Sequence, residues 1–184
     1  MGSARGALRL SPLCRQGSSD FLGSRTLRST RGQRVMAFWI IVVLGVIVDQ
    51  VVKAAIRATL SVGESAPFVP GVIELRHVEN TGAAFGMGAG AGVAFVVIAA
   101  VVLVASLMFV WRKRIPMQLA VSIGLVASGG VGNMVDRVIA GSVTDFLCTT
   151  FVSFPVFNVA DIMVTCGVAV SLVGYYVWES RTES

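Results

Sequence analysis

The sequence predicts an all-α membrane protein of four transmembrane helices, with a small extracytoplasmic β element between helices 1 and 2. Three observations predict it. Of the 184 residues, 55% are hydrophobic and 14% charged, with a mean hydropathy of +0.80. A soluble domain carries about 25% charged residues, so lipid suits this composition better than water. The apolar residues gather into four runs, at 37–58, 91–111, 117–135 and 156–178, each close to the ~20 residues a helix needs to cross the hydrocarbon core. Basic residues collect ahead of the first run, at Arg112, Lys113 and Arg114 between the second and third, and at Arg181 after the fourth. A four-pass chain brings those three places to one side, and the excess of Lys and Arg makes that side cytoplasmic.

The net charge of +5 belongs to the N-terminal segment. Residues 1–35 hold seven arginines against Asp20, whereas 36–184 are close to neutral. This Gly-, Ser- and Arg-rich segment lacks an apolar period and is expected to be disordered. It reads as a cytoplasmic tail that obeys the positive-inside rule, as an arm for anionic lipid or nucleic acid, or as an extension ahead of a natural start at Met36. The first reading is favoured, since nothing else in the chain suits nucleic acid. No cleavage site follows the first apolar run, so a removed secretory signal is not expected. Residues 36–184 then form one four-helix transmembrane domain.

Between the first two spans, residues 66–78 partly alternate and contain Pro67 and Pro70, which suits a short strand pair at a sheet edge. Asn80-Thr81-Gly82 is a turn signal. The glycines and alanines over 82–92, and Gly129, Gly130 and Gly132 in the third span, allow close backbone approach. His77 reads as an ordinary exposed or interfacial residue.

Cys14, Cys148 and Cys166 are scattered without CxxC spacing, and His77 is the sole histidine. A zinc site or disulfide framework is therefore not expected, and any chemistry falls to carboxylates. Asp49 lies twelve residues into the first span, about 18 Å along it. Asp136 ends the third span, Asp145 follows it, and Asp161 opens the fourth. Opposite chain directions bring all four to one depth near the outer boundary, where ionisable groups are costly and point to function. Asp49 with Lys53 reads equally as a structural i,i+4 ion pair, and Asp136 with Arg137 as a helix-end anchor. Asp145 and Asp161 have no cation beside them in sequence. An ion or proton transporter would spread its carboxylates through the membrane, and a packing scaffold would tolerate asparagine at both positions.

The polar blocks stand in a distinctive order. Asp49-Gln50 with Lys53 comes first, then Asn80-Thr81-Gly82-Ala83-Ala84-Phe85-Gly86, then Gly129-Gly130-Val131-Gly132-Asn133-Met134-Val135-Asp136-Arg137. Gly141-Ser142-Val143-Thr144-Asp145-Phe146 and Phe157-Asn158-Val159-Ala160-Asp161 follow. Over about residues 36–178 the chain resembles the bacterial lipoprotein signal peptidase (signal peptidase II) family. The resemblance implies an aspartic endopeptidase of the bacterial inner membrane, with both termini cytoplasmic and the active site near the outer face. Its substrates would be prolipoproteins, cut before the diacylglyceryl-modified cysteine. It assigns catalysis to Asp145 and Asp161, and a substrate-binding or supporting role to Asp49, Lys53, Asn80, Asn133, Asp136, Arg137 and Asn158. It implies no metal, cofactor or nucleic acid; contact with membrane lipid and a monomeric state are expected.

Overall fold

The computed structural model describes residues 29–82 and 91–180. Residues 1–28 of the tail, with Cys14, lie outside the described residues, as do 83–90 of the Gly/Ala stretch and Arg181. Four helices carry the fold: α1 (Arg31–Thr59), α2 (Gly92–Arg112), α3 (Met117–Ala140) and α4 (Val159–Ser180). Each is long and apolar enough to cross a membrane. Three strands, β1 (Ser65–Val69), β2 (Ile73–Asn80) and β3 (Val143–Thr149), complete it.

The helix bounds differ from the apolar runs for local reasons. α1 begins six residues early because Thr30 and Gln33 form a reciprocal capping box, each side chain accepting the other residue's backbone N–H. Arg34 then reaches the carbonyls of Ser29 and Lys113, and Arg31 lies 5.5 Å over the Trp111 ring. Both contacts tie the start of α1 to the end of α2. α3 runs five residues past its apolar stretch, through Asp136 and Arg137, until Gly141 adopts a left-handed φ of 76° and ends it. α4 begins three residues late, at Val159, which puts Asp161 in its first turn.

α3 is the central helix, packed against α1, α2 and α4. It is the least apolar of the four and the most buried, because it faces protein rather than lipid. Phe38, Val42, Val110, Leu119 and Ala127 build the apolar core, while the opposite faces of α1 and α2 expose large aliphatic side chains, as a lipid-facing surface does. Small residues set the helix spacing. A Cβ on Gly45 would lie 2.0 Å from Ser128 Oγ, and one on Gly129 would lie 2.2 Å from the Ala160 carbonyl oxygen.

The strand pair predicted over 66–78 is present as the β1–β2 hairpin, but the sheet has a third member. β3, from between α3 and α4, pairs antiparallel with β2, giving the order β1-β2-β3. The third strand is not legible as an alternating run, because Val143, Thr144, Asp145 and Phe146 are all buried. A bulge in β2 between Leu75 and Val78 brings Val78 opposite Asp145 and Asn80 opposite Val143. His77 sits in this bulge and is 4% exposed, which corrects the expectation of an exposed or interfacial residue. Its ring is held between the Leu60 carbonyl and Glu79.

The close α3–α4 approach gives a test. Gly129→Ala is expected to lose roughly 1–3 kcal/mol of stability through overpacking. Gly130→Ala, whose added methyl meets only Ala99 Cβ at 3.9 Å, should match or slightly exceed the parent. Thermal unfolding in detergent reads both; equal melting of the two variants would contradict the packing.

Candidate active site

The polar residues meet at the end of the bundle that carries the sheet, in two connected groups. The first is built around Lys53, one turn beyond Asp49 on α1. Its ammonium lies 2.9 Å from Asp49 Oδ2, 2.7 Å from Asp136 Oδ2 and 2.8 Å from Asn133 Oδ1. Lys53 and Asp49 are both fully buried. Three donors meet three acceptors, which is the full capacity of an ammonium group. The Gln50 amide donates to Asp136 Oδ1 at 3.0 Å and to the Gly132 carbonyl at 3.1 Å. Gly132 permits this approach, since a Cβ there would lie 2.6 Å from Asp49 Oδ2.

The second group is organised by the start of α4. Asn158 precedes the first helical residue, and its side-chain oxygen accepts the Asp161 N–H at 3.0 Å. Asp161 Oδ2 in turn accepts the Asn158 N–H at 3.1 Å. This is a capping box with aspartate at the third position. The N–H of Ala160, which no helical carbonyl can reach, donates to Asp49 Oδ1 at 3.0 Å. One helix terminus thus fixes a carboxylate from α1 and presents its own Asp161.

Asp145 reaches the same place from β3. The Asn158 amide donates to its Oδ1 at 2.6 Å and the Asn80 amide to its Oδ2 at 2.9 Å. Asn133 links everything: its amide donates to Asp161 Oδ1 at 2.9 Å, while its oxygen accepts from Lys53 and from Asn158 at 3.0 Å. Burial pushes the Asp145 carboxyl up to about 6. Donation from Asn80 and Asn158 opposes this shift, and the neighbouring Asp161 charge adds to it.

Asp145 and Asp161 face a common cavity of about 520 Å³, together with Asn80, Asn133 and Arg137. Its remaining wall is mainly apolar and includes Phe154, Phe157 and Ile162. Such a mixture suits a ligand with an apolar body and one polar reacting region. Among the described residues, no group of three or more His, Cys, Asp or Glu side chains could hold a metal ion.

All nine residues singled out in the sequence come together, but not all with the expected partners. Arg137 does not pair with Asp136, because neighbouring residues on a helix diverge. Asp136 faces Lys53, Gln50 and Arg57. Arg137 instead donates to the Gly82 carbonyl at 2.9 Å and lies 4.8 Å over the Phe95 ring. Three contributors were missed. Gln50 donates to Asp136 and Gly132, and its place on the Asp49–Lys53 face of α1 is the only sequence signal it carries. Arg57 donates to Thr144 Oγ1 at 2.9 Å, and its place four residues beyond Lys53 is the signal that could have found it. Thr144, whose N–H lies 3.4 Å from Asp136 Oδ2, carries no signal of its own beyond adjacency to Asp145.

Known proteins are similar to this chain in sequence and in fold. The family model for signal peptidase (SPase) II matches residues 41–177. Lipoprotein signal peptidase of Symbiobacterium thermophilum is 42% identical over 134 residues, covering 70% of this chain and 87% of that protein. That of Halothermothrix orenii is 36% identical over 143 residues, covering 78% and 96%. That of Lactococcus lactis subsp. lactis is 34% identical over 128 residues, covering 70% and 85%. A bacterial membrane enzyme solved by the in meso method at 2.3 Å resolution superposes with a TM-score of 0.73 at 32% identity. It covers 78% of this chain and 90% of that one. The chain is a multi-pass membrane protein that belongs to the signal peptidase II family.

Proposed function

We propose that this protease is an aspartic endopeptidase that removes signal peptides from prolipoproteins at the outer face of the bacterial inner membrane. Cleavage falls before the diacylglyceryl-modified cysteine. The observation that carries the reading is the meeting of Asp145 and Asp161, from β3 and α4, on one pair of asparagines beside one cavity.

Two carboxyl groups this closely linked do not both ionise readily, so the pair retains one proton. The ionised member takes a proton from a water between them. The oxygen of that water attacks the scissile carbonyl carbon, and the protonated member donates to the carbonyl oxygen. Collapse of the tetrahedral intermediate breaks the C–N bond, and the proton taken from water passes to the leaving amine. The titration belongs to the pair, so neither role is tied to one residue. Asn133 and Asn158 hold the pair in register, while Asp49, Lys53 and Asp136 brace it from beneath. Asn80 and Arg137 line the cavity and suit the peptide portion of the substrate. The apolar wall suits the region beside the lipid-bearing cysteine. The basic residues ahead of α1, between α2 and α3 and after α4 support a cytoplasmic side at the opposite end of the bundle, with both termini there.

Asp145→Asn and Asp161→Asn are each expected to insert and fold yet lose ~10²–10⁴-fold or more of turnover. A gel-shift assay on a lipidated precursor reads this, and near-normal cleavage by either purified variant would discard the pair. An acid held above its ordinary range keeps its proton to higher pH. With Asp145 held at about 6, the shared proton is present below that value and lost above it, so kcat/KM should fall as pH rises through the upper pKa of the pair. A rate flat from about pH 5 to about pH 8 would remove the shared proton from the mechanism. Asp136→Asn should act on stability, at about 3–5 kcal/mol for a broken buried ion pair, with cleavage retained by the folded fraction. A well-folded variant without turnover would move Asp136 into the chemistry.

A further inference from the structure

The mechanism leaves unexplained a second polar chain on the far side of β3 from the cavity. Glu79, on β2, accepts from Ser142 Oγ at 2.5 Å through Oε2 and from Thr144 Oγ1 at 3.0 Å through Oε1. Thr144 directly precedes Asp145 in β3, and Ser142 lies just ahead of the strand, three residues before Asp145. His77 Nε2 lies 3.0 Å from the same Oε1, and its Nδ1 lies 2.8 Å from the Leu60 carbonyl at the end of α1. The main chain of His77 is also pinned. Its N–H donates to the Glu64 carbonyl at 3.0 Å and its carbonyl accepts from Gly63 at 2.8 Å. His77, within the β2 bulge, is therefore held through its ring and both its main-chain polar groups, and that bulge sets which residue of β2 faces Asp145.

We propose that Glu79 is a positioning residue for Asp145, acting through the Ser142 and Thr144 hydroxyls, with His77 anchoring Glu79 to the end of α1. The inference rests on the aspartic reading above. Proton bookkeeping supports it. An ionised carboxylate only accepts, so both hydroxyls donate to Glu79, and the Thr144 oxygen is left to accept from Arg57 at 2.9 Å. Burial alone would raise the Glu79 carboxyl, but donation from Ser142, His77 and Thr144 outweighs it and holds the group below its ordinary range. Thr144 is thereby gripped by Glu79 from β2, Arg57 from α1 and, through its N–H, Asp136 from α3. With its neighbour held from three elements, the Asp145 backbone has no freedom to slide or twist along β3. A displacement of about 1 Å in a reacting group lowers rates severely.

The test uses the full-length chain and a diacylglyceryl-modified prolipoprotein peptide. Cleavage by the parent and its loss in Asp145→Asn first establish the aspartic reading separately. Glu79→Ala removes the acceptor of both hydroxyls and is then expected to lower kcat at least about tenfold, with KM changed less than about twofold. Glu79→Gln keeps a carbonyl oxygen and should recover most of the loss. Adding Glu79→Ala to the Ser142→Ala, Thr144→Val pair should cost no more than that pair alone, because all three substitutions cut one chain. If Glu79→Ala fails to fold, Ser142→Ala with Thr144→Val carries the same expected fall in kcat. An unchanged kcat in folded variants, a fall confined to KM, or losses that multiply in the combination would overturn the proposal.

Discussion

The Lys53 ammonium is the interaction on which the rest of the site depends. It is fully buried, and it offers its donors to Asp49 on its own helix and to Asp136 and Asn133 on α3. Removing an ammonium from water costs several kcal/mol, which is recovered only when every donor finds a well-placed acceptor and the charge is balanced. Two carboxylates and an amide oxygen meet that demand here. They also fix the rotation of α1 against α3, since any turn of either helix would strand a charge in an apolar bundle. Asn133 carries the constraint onward: one oxygen serves Lys53, and its amide is thereby turned toward Asp161.

The membrane explains why that constraint is built from such small parts. Without a hydrophobic drive between helices in lipid, association depends on close packing and on interhelical hydrogen bonds. Gly45, Gly129 and Gly132 let α1, α3 and α4 approach until side-chain oxygens and backbone atoms touch across the interface. Gly132 has a double effect. By lacking a Cβ it makes room for the Asp49 carboxylate, which then satisfies the unpaired N–H of Ala160 at the start of α4. Packing, charge balance and helix capping are met by one side chain, so the position of Asp161 follows from the position of α1.

The other half of the proposed catalytic pair comes from a different kind of element. Asp145 lies on a strand whose register is set across the sheet by the β2 bulge. A strand can be shifted along its neighbour, and a shift of one residue would turn Asp145 to the opposite face. The contacts of Thr144 with Glu79, Arg57 and Asp136 oppose such a shift. The cavity between the two carboxylates is thus framed by helices on one side and by a register-locked strand on the other.

Residue order alone indicated the four apolar spans, the hairpin between the first two and four aspartates at one depth, while the family resemblance supplied the supporting roles of Lys53, Asn80, Asn133, Arg137 and Asn158. The reason is that lipid imposes run length on a helix and makes each polar residue inside or beside a run conspicuous. Tertiary structure decided what no run could show. The third strand is buried on both faces and so lacks alternation, and Arg137 turns away from Asp136 because adjacent helical residues diverge. His77 has no sequence signal separating a buried ring from an exposed one; only the bulge that encloses it makes the difference. Most of all, the sequence set Asp145 and Asp161 apart from Asp49 and Asp136 only by the lack of an adjacent cation and by a family resemblance, and did not show the contacts that separate the two pairs. Lys53 gathers Asp49 and Asp136 into a balanced ionic support, leaving Asp145 and Asp161 with amide partners beside an open cavity, and that division exists only where three helices and a strand converge.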